Sequence, residues 1–260
     1  IFVQSRFALV NVDDEHFEEI VKDIPCEWAG FGMGANATYQ AENLHYVSEP
    51  DFVGIEFDIR GAHEIPVRVN IPGKFNVYNA LSASAVALKA GVPAEKLQHA
   101  LEHLKIDGRM EIVYTSEQCC VIVDYAHNAV SMESLLETLR EYHPKRLVCV
   151  FGCGGDRDRT KRPKMGKIAA DLADFCVVTS DNPRTEEPKA IIDDILEGMK
   201  DSDTPMQVIV DRPEAIHWAL AHAQKDDIIV LMGKGHETYQ EVNHVKHHMD
   251  EREIVAEYFA

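Results

Sequence analysis

The chain has 260 residues, with 26 basic and 44 acidic side chains, for a formal charge of −18; 45% of residues are apolar and 27% charged. That composition is globular rather than disordered, and the length suits one large domain or two ordinary ones. The acidity argues against a nucleic-acid binder, whose footprint is a basic face, and no apolar run approaches the roughly 20 residues that span a bilayer, so neither nucleic acid nor membrane is an expected partner.

Phe7 to Val12 reads as a buried strand with no polar lead-in, which suggests a piece of a longer polypeptide. In DDEHFEEIVKDI, Phe17, Ile20, Val21 and Ile24 fall at helical spacing. From Trp28 to Arg68 the runs ATYQAENLHYV, FVGIEFDIR and EIPVRVNI alternate apolar and polar residues, predicting an antiparallel meander. After the Pro-Gly break of IPGKFN, NVYNALSASAVALKAGV is a small-residue helix ending at Gly91, and PAEKLQHALEHL is a second helix starting at Pro93. KIDGR (Lys105 to Arg109) is the candidate boundary, giving segments 1–107 and 108–260.

Beyond that boundary EIVYTSEQ, CVIVDYAHN, RLVCVFGCGG, FCVVTSDNPR, MQVIVD and DIIVLMGKGHE read as strands, the last being the final long one. Helices are expected from about Val130 to Tyr142, over Met165 to Asp174, from Lys189 to Met199 and from Pro213 to Gln224. Strands alternating with helices of this length predict an α/β fold, a Rossmann-like, mostly parallel sheet wrapped on both faces. Cys119 and Cys120 are adjacent, and Cys26, Cys149 and Cys176 sit singly in or beside apolar stretches, as reduced thiols do. With no apolar segment and basic flank opening the chain, a soluble cytoplasmic protein is expected.

Ligands of an open parallel sheet bind beyond the carboxyl ends of its strands. DYAHN (Asp124 to Asn128), GCGGDRDR (Gly152 to Arg159), SDNPR (Ser180 to Arg184) and GKGHE (Gly233 to Glu237) follow four of the apolar runs and are expected on one edge. GDRDRTKRPKMGK holds six basic and two acidic residues, and beside glycines and a helix start it suits an anion. Arg157 is the candidate there, while Lys164 and Lys167 read as a solvated helix face. Neither G-x-x-x-x-G-K-[ST] nor G-x-G-x-x-G occurs, and GKGHE lacks the spacing and hydroxyl of a phosphate loop. His99 with His103, and His244 with His247 and His248, lack a third ligand type at structural-zinc spacing, so no metal site is expected. His236 reads equally as packing behind the site or as touching substrate.

GCGGDRDRTKRPKMG, TSDNPRTEEPKAIIDDI and MGKGHETYQ, in this order, closely resemble the C-terminal domain of the Mur ligases, nearest to those that add the third residue to the UDP-N-acetylmuramoyl peptide. IPGKFNVYNALSASAVAL, then DGRMEI and VIVDYAHN, resemble the passage from that family's central ATP-binding domain into the C-terminal one. The resemblance is diffuse from Ile1 to about Ile71 and nearly unbroken from Pro72 to Asp250. It implies that 1–107 is the C-terminal part of the central domain and 108–260 the acceptor-binding domain.

The implied reaction uses ATP and Mg2+. A substrate carboxylate becomes an acyl phosphate, an amino acid's amine attacks it, and phosphate leaves. By motif, the resemblance implies ATP contacts at Asn76 and Asn79 (to adenine), at Arg109 and Asp124 (to ribose and phosphates) and at His127. A helix cap is an equal reading of Asn79 on its residue type. The implied acceptor pocket is Arg157, Asn182, Arg184, Gly233 and Glu237.

In the family DNPR accompanies meso-diaminopimelate, and lysine-adding relatives lack this arginine. Diaminopimelate carries one more carboxylate than lysine. A guanidinium grips that group with two hydrogen bonds, whereas lysine's ammonium would face it with like charge. An unpaired, buried Arg184 would be costly, and Glu237 suits the distal ammonium. The implied substrates are UDP-N-acetylmuramoyl-L-alanyl-D-glutamate and meso-diaminopimelate, on a monomer.

The family's P-loop, its carbamylated lysine and its UDP-sugar domain are not within the 260 residues. The resemblance therefore implies a C-terminal portion without catalytic residues of its own, inactive alone because positioning dominates phosphoryl transfer. Ala129 stands where the family usually has proline. The alternatives are a lysine-adding member, a folate-polyglutamate ligase, or a non-catalytic α/β module binding a small zwitterion or nucleotide.

Overall fold

The structure, a computed structural model, describes residues 2–49 and 52–260 and divides into two units, Ile1–Lys105 and Ile106–Ala260. In the first unit a five-stranded sheet runs in the order β1 (Phe7–Asn11), β2 (Glu27–Gly32), β3 (Tyr39–Glu49), β4 (Phe52–Gly61), β5 (Ile65–Val69). The period-2 pattern of β4 puts Ile55, Phe57 and Ile59 on one face, against Val77, Leu81 and Ala85 of α2 (Lys74–Lys89) and Leu97 and Leu101 of α3 (Ala94–Glu102). The fourfold spacing of the α2 residues makes the matching stripe.

Two expectations for this unit change. The meander is antiparallel only from β3 onward; β2 lies parallel to β1, and parallel to β3 at Phe31↔Tyr39 and Gly32↔Gln40. Apolar periodicity reports which face is buried, not strand direction. The helix read across DDEHFEEIVKDI is one short piece, Phe17–Val21 (α1), with no buried residue.

The second unit carries β6 (Glu111–Thr115), β7 (Cys119–Asp124), α4 (Ala129–Arg140), β8 (Arg146–Phe151), α5 (Lys161–Leu172), β9 (Phe175–Val178) and α6 (Pro188–Leu196). There follow β10 (Met206–Val208), α7 (Arg212–Ala221), β11 (Asp227–Met232), β12 (Tyr239–Val242), β13 (Val245–His248) and α8 (Glu251–Tyr258). Its sheet has the order β10-β9-β8-β11-β7-β6, parallel except for β6, which runs antiparallel to β7.

Every residue of β7 and β11 is buried, so both faces are covered. Ala215, Ile216, Ala219 and Leu220 of α7 and Val255 of α8 pack on one face, while α4, α5 and α6 pack in series against one another. The chain steps outward through β8, β9 and β10, then returns to insert β11 between β8 and β7, which makes a switch point at that edge. The β12–β13 hairpin and α8 lie beyond the last strand that sequence patterning finds. All six cysteines are free thiols. Among the described residues no helix is long and apolar enough to cross a membrane.

Candidate functional site

Because β7, β8, β9 and β11 are parallel, the loops that follow them share one edge. A cavity of about 310 Å³ opens there, lined by Arg157, Asn182, Arg184, Gly233 and Glu237 together with Tyr125 and His127. It falls within the usual size of a small-molecule site.

The loops after β8 and β9 are laced together. Gly155 N–H donates to Asn182 O at 2.9 Å, and a Cβ on Gly155 would stand 1.9 Å from Pro183 O, so only glycine allows the approach. Asp156 N–H donates to Glu186 Oε1 at 2.6 Å, and Thr185 Oγ1 donates to Asp156 Oδ1 at 2.7 Å. The buried Arg162 of α5 binds Glu186 at 2.7 and 2.9 Å and Asp194 at 2.9 Å. Arg162 hydrogen bonds, helped by the Asp156 N–H, overcome burial and hold the Glu186 carboxyl at about 2.

This lacing changes the reading of the basic stretch. Arg159 and Arg162 are paired with Asp194 and Glu186, and Lys167 with Asp171. Lys164 is exposed, as expected of a solvated face. Only Arg157 and Lys161 of the six basic residues border the cavity.

Arg184 sits with φ +52, its backbone held by β12: its N–H donates to Glu241 O at 3.0 Å, and Asn243 N–H donates to Arg184 O at 2.8 Å. Its guanidinium is partly paired within the protein. Nε donates to Glu241 Oε2 at 3.1 Å and Nη1 to Gly155 O at 2.8 Å. Among the described residues Nη2 has no hydrogen-bond partner, so the fork is aimed by two bonds and still has donors to give.

Asn182 and Glu237 meet at 2.9 Å (Nδ2 to Oε2), and the wholly buried Lys234 joins both. Burial pushes the Glu237 carboxyl up, but the bonds from Lys234 and Asn182 outweigh it and hold it below its ordinary value. Underneath, buried Arg212 donates to Met232 O at 2.7 Å, Ser180 O at 3.3 Å and Glu251 Oε1 at 2.8 Å, tying the ends of β9 and β11. Burial raises the Glu251 carboxyl, against the opposing pull of Arg212.

Asp124 closes β7 with both oxygens engaged, accepting from Met110 N–H and Ala126 N–H at 2.7 Å each. Burial raises its carboxyl, opposed by those bonds and by Arg109. Asp124 thus fixes the turn that carries Arg109, whose exposed guanidinium lies 4.7 Å from the Tyr125 ring centre. Gly108 in that turn has φ +66, and a Cβ there would stand 2.0 Å from His236 N. His127 is exposed, while Asn128 caps α4 by accepting from Ser131 N–H at 3.0 Å. His236 is exposed, with its ring 5.2 Å from that of Tyr125.

In the first unit Asn79 is not a helix cap: it lies inside α2 and is exposed. Its Nδ2 donates to Oδ1 of buried Asn76 at 3.0 Å, and Asn76 Nδ2 donates to Pro72 O at 2.6 Å. The His99 and His103 rings lie 4.2 Å apart and His248 pairs with Glu253. Among the described residues no three His, Cys, Asp or Glu side chains group as a metal site.

Lys234 and Glu241 were not singled out from the sequence. Lys234 looked like part of a failed phosphate loop, and Glu241 follows the last recognisable strand.

Two family models match: "Mur ligase middle domain" over residues 1–87 and "Mur ligase, glutamate ligase domain" over residues 108–235. The chain belongs to the Mur ligases. It is 46% identical over 264 residues to UDP-N-acetylmuramoyl-L-alanyl-D-glutamate–2,6-diaminopimelate ligase 1 of Clostridium acetobutylicum, covering 99% of this chain and 53% of that protein. It is 42% identical to the like-named ligase of Caldanaerobacter subterraneus subsp. tengcongensis, covering 98% and 52%. A solved structure of such a Mur ligase superposes with TM-score 0.74 at 35% identity over 97% of this chain and 53% of that one. Folylpolyglutamate synthase of Thermotoga maritima shares the fold, at TM-score 0.60 and 20% identity over 82% of this chain. The chain spans about half the length of the curated relatives it matches.

Proposed function

We propose that the chain supplies the acceptor pocket of an ATP-dependent ligase that adds meso-diaminopimelate to UDP-N-acetylmuramoyl-L-alanyl-D-glutamate in peptidoglycan precursor synthesis. The names of the similar Mur ligases support the substrates. The observation that carries the reading is the meeting of Arg157, Arg184, Asn182 and Glu237 around one cavity. A zwitterion with a second carboxylate needs cationic forks and an anion held apart from each other, and this rim supplies both. Arg184, aimed by Glu241 and Gly155 O, takes the distal carboxylate; Glu237 takes the distal ammonium through its free oxygen. Gly233 borders the same space.

ATP, with Mg2+, supplies the phosphoryl group that activates the substrate carboxylate for attack by the acceptor's amine. In the first unit, Asn79 is the proposed adenine contact and Asn76 holds its amide. In the second, Arg109 is an exposed cation suited to phosphate, His127 stands exposed beside Tyr125, and Asp124 acts by fixing the turn of Arg109.

The test is steady-state kinetics of the full-length ligase. Arg184→Ala is expected to lower kcat/KM for meso-diaminopimelate by roughly tenfold or more, with Arg184→Lys only partly restoring it, because a point charge replaces a fork. Unchanged acceptor kinetics in Arg184→Ala refute the pocket.

A further inference from the structure

We propose that Lys234 is a positioning residue for acceptor recognition: sealed behind the cavity, its ammonium group fixes Asn182 and Glu237 in the arrangement that receives the acceptor's distal ammonium. The inference rests on reading the cavity as the acceptor pocket.

A lysine is almost never fully buried unless paired, and Lys234 has no exposed surface. Its Nζ donates to Asn182 Oδ1 at 2.8 Å and to Glu237 Oε2 at 2.9 Å, and it lies 5.1 Å from the Tyr239 ring centre. It does not line the cavity, so it acts only through its two partners, which do.

The amide of Asn182 has one sensible orientation. Its oxygen accepts from Lys234 Nζ and from Glu241 N–H at 2.8 Å, which turns its nitrogen to Glu237 Oε2 at 2.9 Å. Glu237 Oε2 thus accepts twice, and among the described residues Oε1 has no hydrogen-bond partner. The carboxylate is pinned by one oxygen and presents the other. Without Lys234, Asn182 Oδ1 loses one of two donors and Glu237 loses its buried counter-charge, so both side chains are held less firmly. Arg184 and Arg157 are not bonded to Lys234 and keep their own supports.

The experiment measures KM and kcat for meso-diaminopimelate and KM for ATP in the full-length ligase, for wild type, Lys234→Met, Glu237→Gln and the double variant. Lys234→Met is expected to raise acceptor KM roughly tenfold while the KM for ATP stays within about twofold, equivalent to about 1.4 kcal/mol of acceptor binding. On the Glu237→Gln background the same change is expected to add less than about threefold, because the two residues act as one unit. Should Lys234→Met fail to fold, Lys234→Gln, judged by its melting temperature, carries the same expectations.

An unmoved acceptor KM overturns the inference. So does a tenfold rise of equal size on both backgrounds, which is the mark of a merely structural lysine. A wild-type ligase that does not use diaminopimelate overturns the acceptor reading and this inference with it. Normal wild-type turnover beside an unaffected Lys234 variant overturns the inference alone.

Discussion

Two arginines of the second unit stand in similar surroundings and do different things. Arg162 is wholly buried, with its charge closed on Glu186 and Asp194, and it joins α5 to α6 and to the loop after β9. Arg184 is 18% exposed, holds one carboxylate and one carbonyl, and keeps donors turned to a cavity. On the proposed reading, partner count separates a stabilising cation from a binding one: the first has its charge answered within the protein, the second has it only half answered. Removing the first should cost stability, and removing the second should cost recognition.

The largest expected effect breaks the first cluster. Arg162→Ala leaves Glu186 without its cation and Asp194 with the exposed Arg159 alone. Breaking a fully buried pair costs about 3–5 kcal/mol, but Glu186 and Asp194 retain 24% and 28% exposure, so about 2–3 kcal/mol is expected in urea denaturation. A loss below about 0.5 kcal/mol would put Arg162 on the level of a surface pair.

Next comes Arg184→Ala, whose roughly tenfold loss of acceptor kcat/KM should leave the urea midpoint nearly unmoved. A variant that instead melts early with normal acceptor kinetics would make Arg184 a second Arg162.

The third prediction sharpens the contrast by pH. Glu186 is held at about 2, below its ordinary 4.5, so its stabilisation is complete above about 4.5 and is lost as pH falls toward about 2. Glu186→Gln should therefore flatten the stability profile over that window and lower stability above it. An identical acid limb in both proteins would contradict the pairing.

The smallest effect is Lys167→Ala, an exposed pair with Asp171 one helical turn away. It should change stability by less than about 0.5 kcal/mol in the same denaturation.

The edge that gathers the site was legible because β7, β8, β9 and β11 are apolar runs that stop abruptly at DYAHN, GCGG, SDNPR and GKGHE. Period and length sufficed to align their carboxyl ends. The charges within those loops were not legible. Arg162 and Arg159 look like anion binders in GDRDRTKR, and their carboxylates arrive from 24 and 35 residues downstream. Lys234 sits beside glycines in GKGHE, where sequence spacing ruled out a phosphate loop but could not reveal a buried ion pair with Glu237 and a hydrogen bond to Asn182. Glu241 lies on a four-residue strand whose burial pattern is intermediate throughout, so it has no alternation to read. Asn79 resembled a cap, yet Gly73 is the N-cap of α2 and Asn76, in the first turn, supplies the side-chain bond to Pro72 O.

The most direct measurement is the ratio of kcat/KM for meso-diaminopimelate to that for L-lysine in the full-length ligase. A carboxylate gripped by Arg184 predicts a preference for diaminopimelate of roughly 10- to 100-fold, the equivalent of one charge-assisted contact of about 1.5–3 kcal/mol, and its collapse toward unity in Arg184→Ala. Equal use of the two amino acids by the wild type, or a preference for lysine, would contradict it.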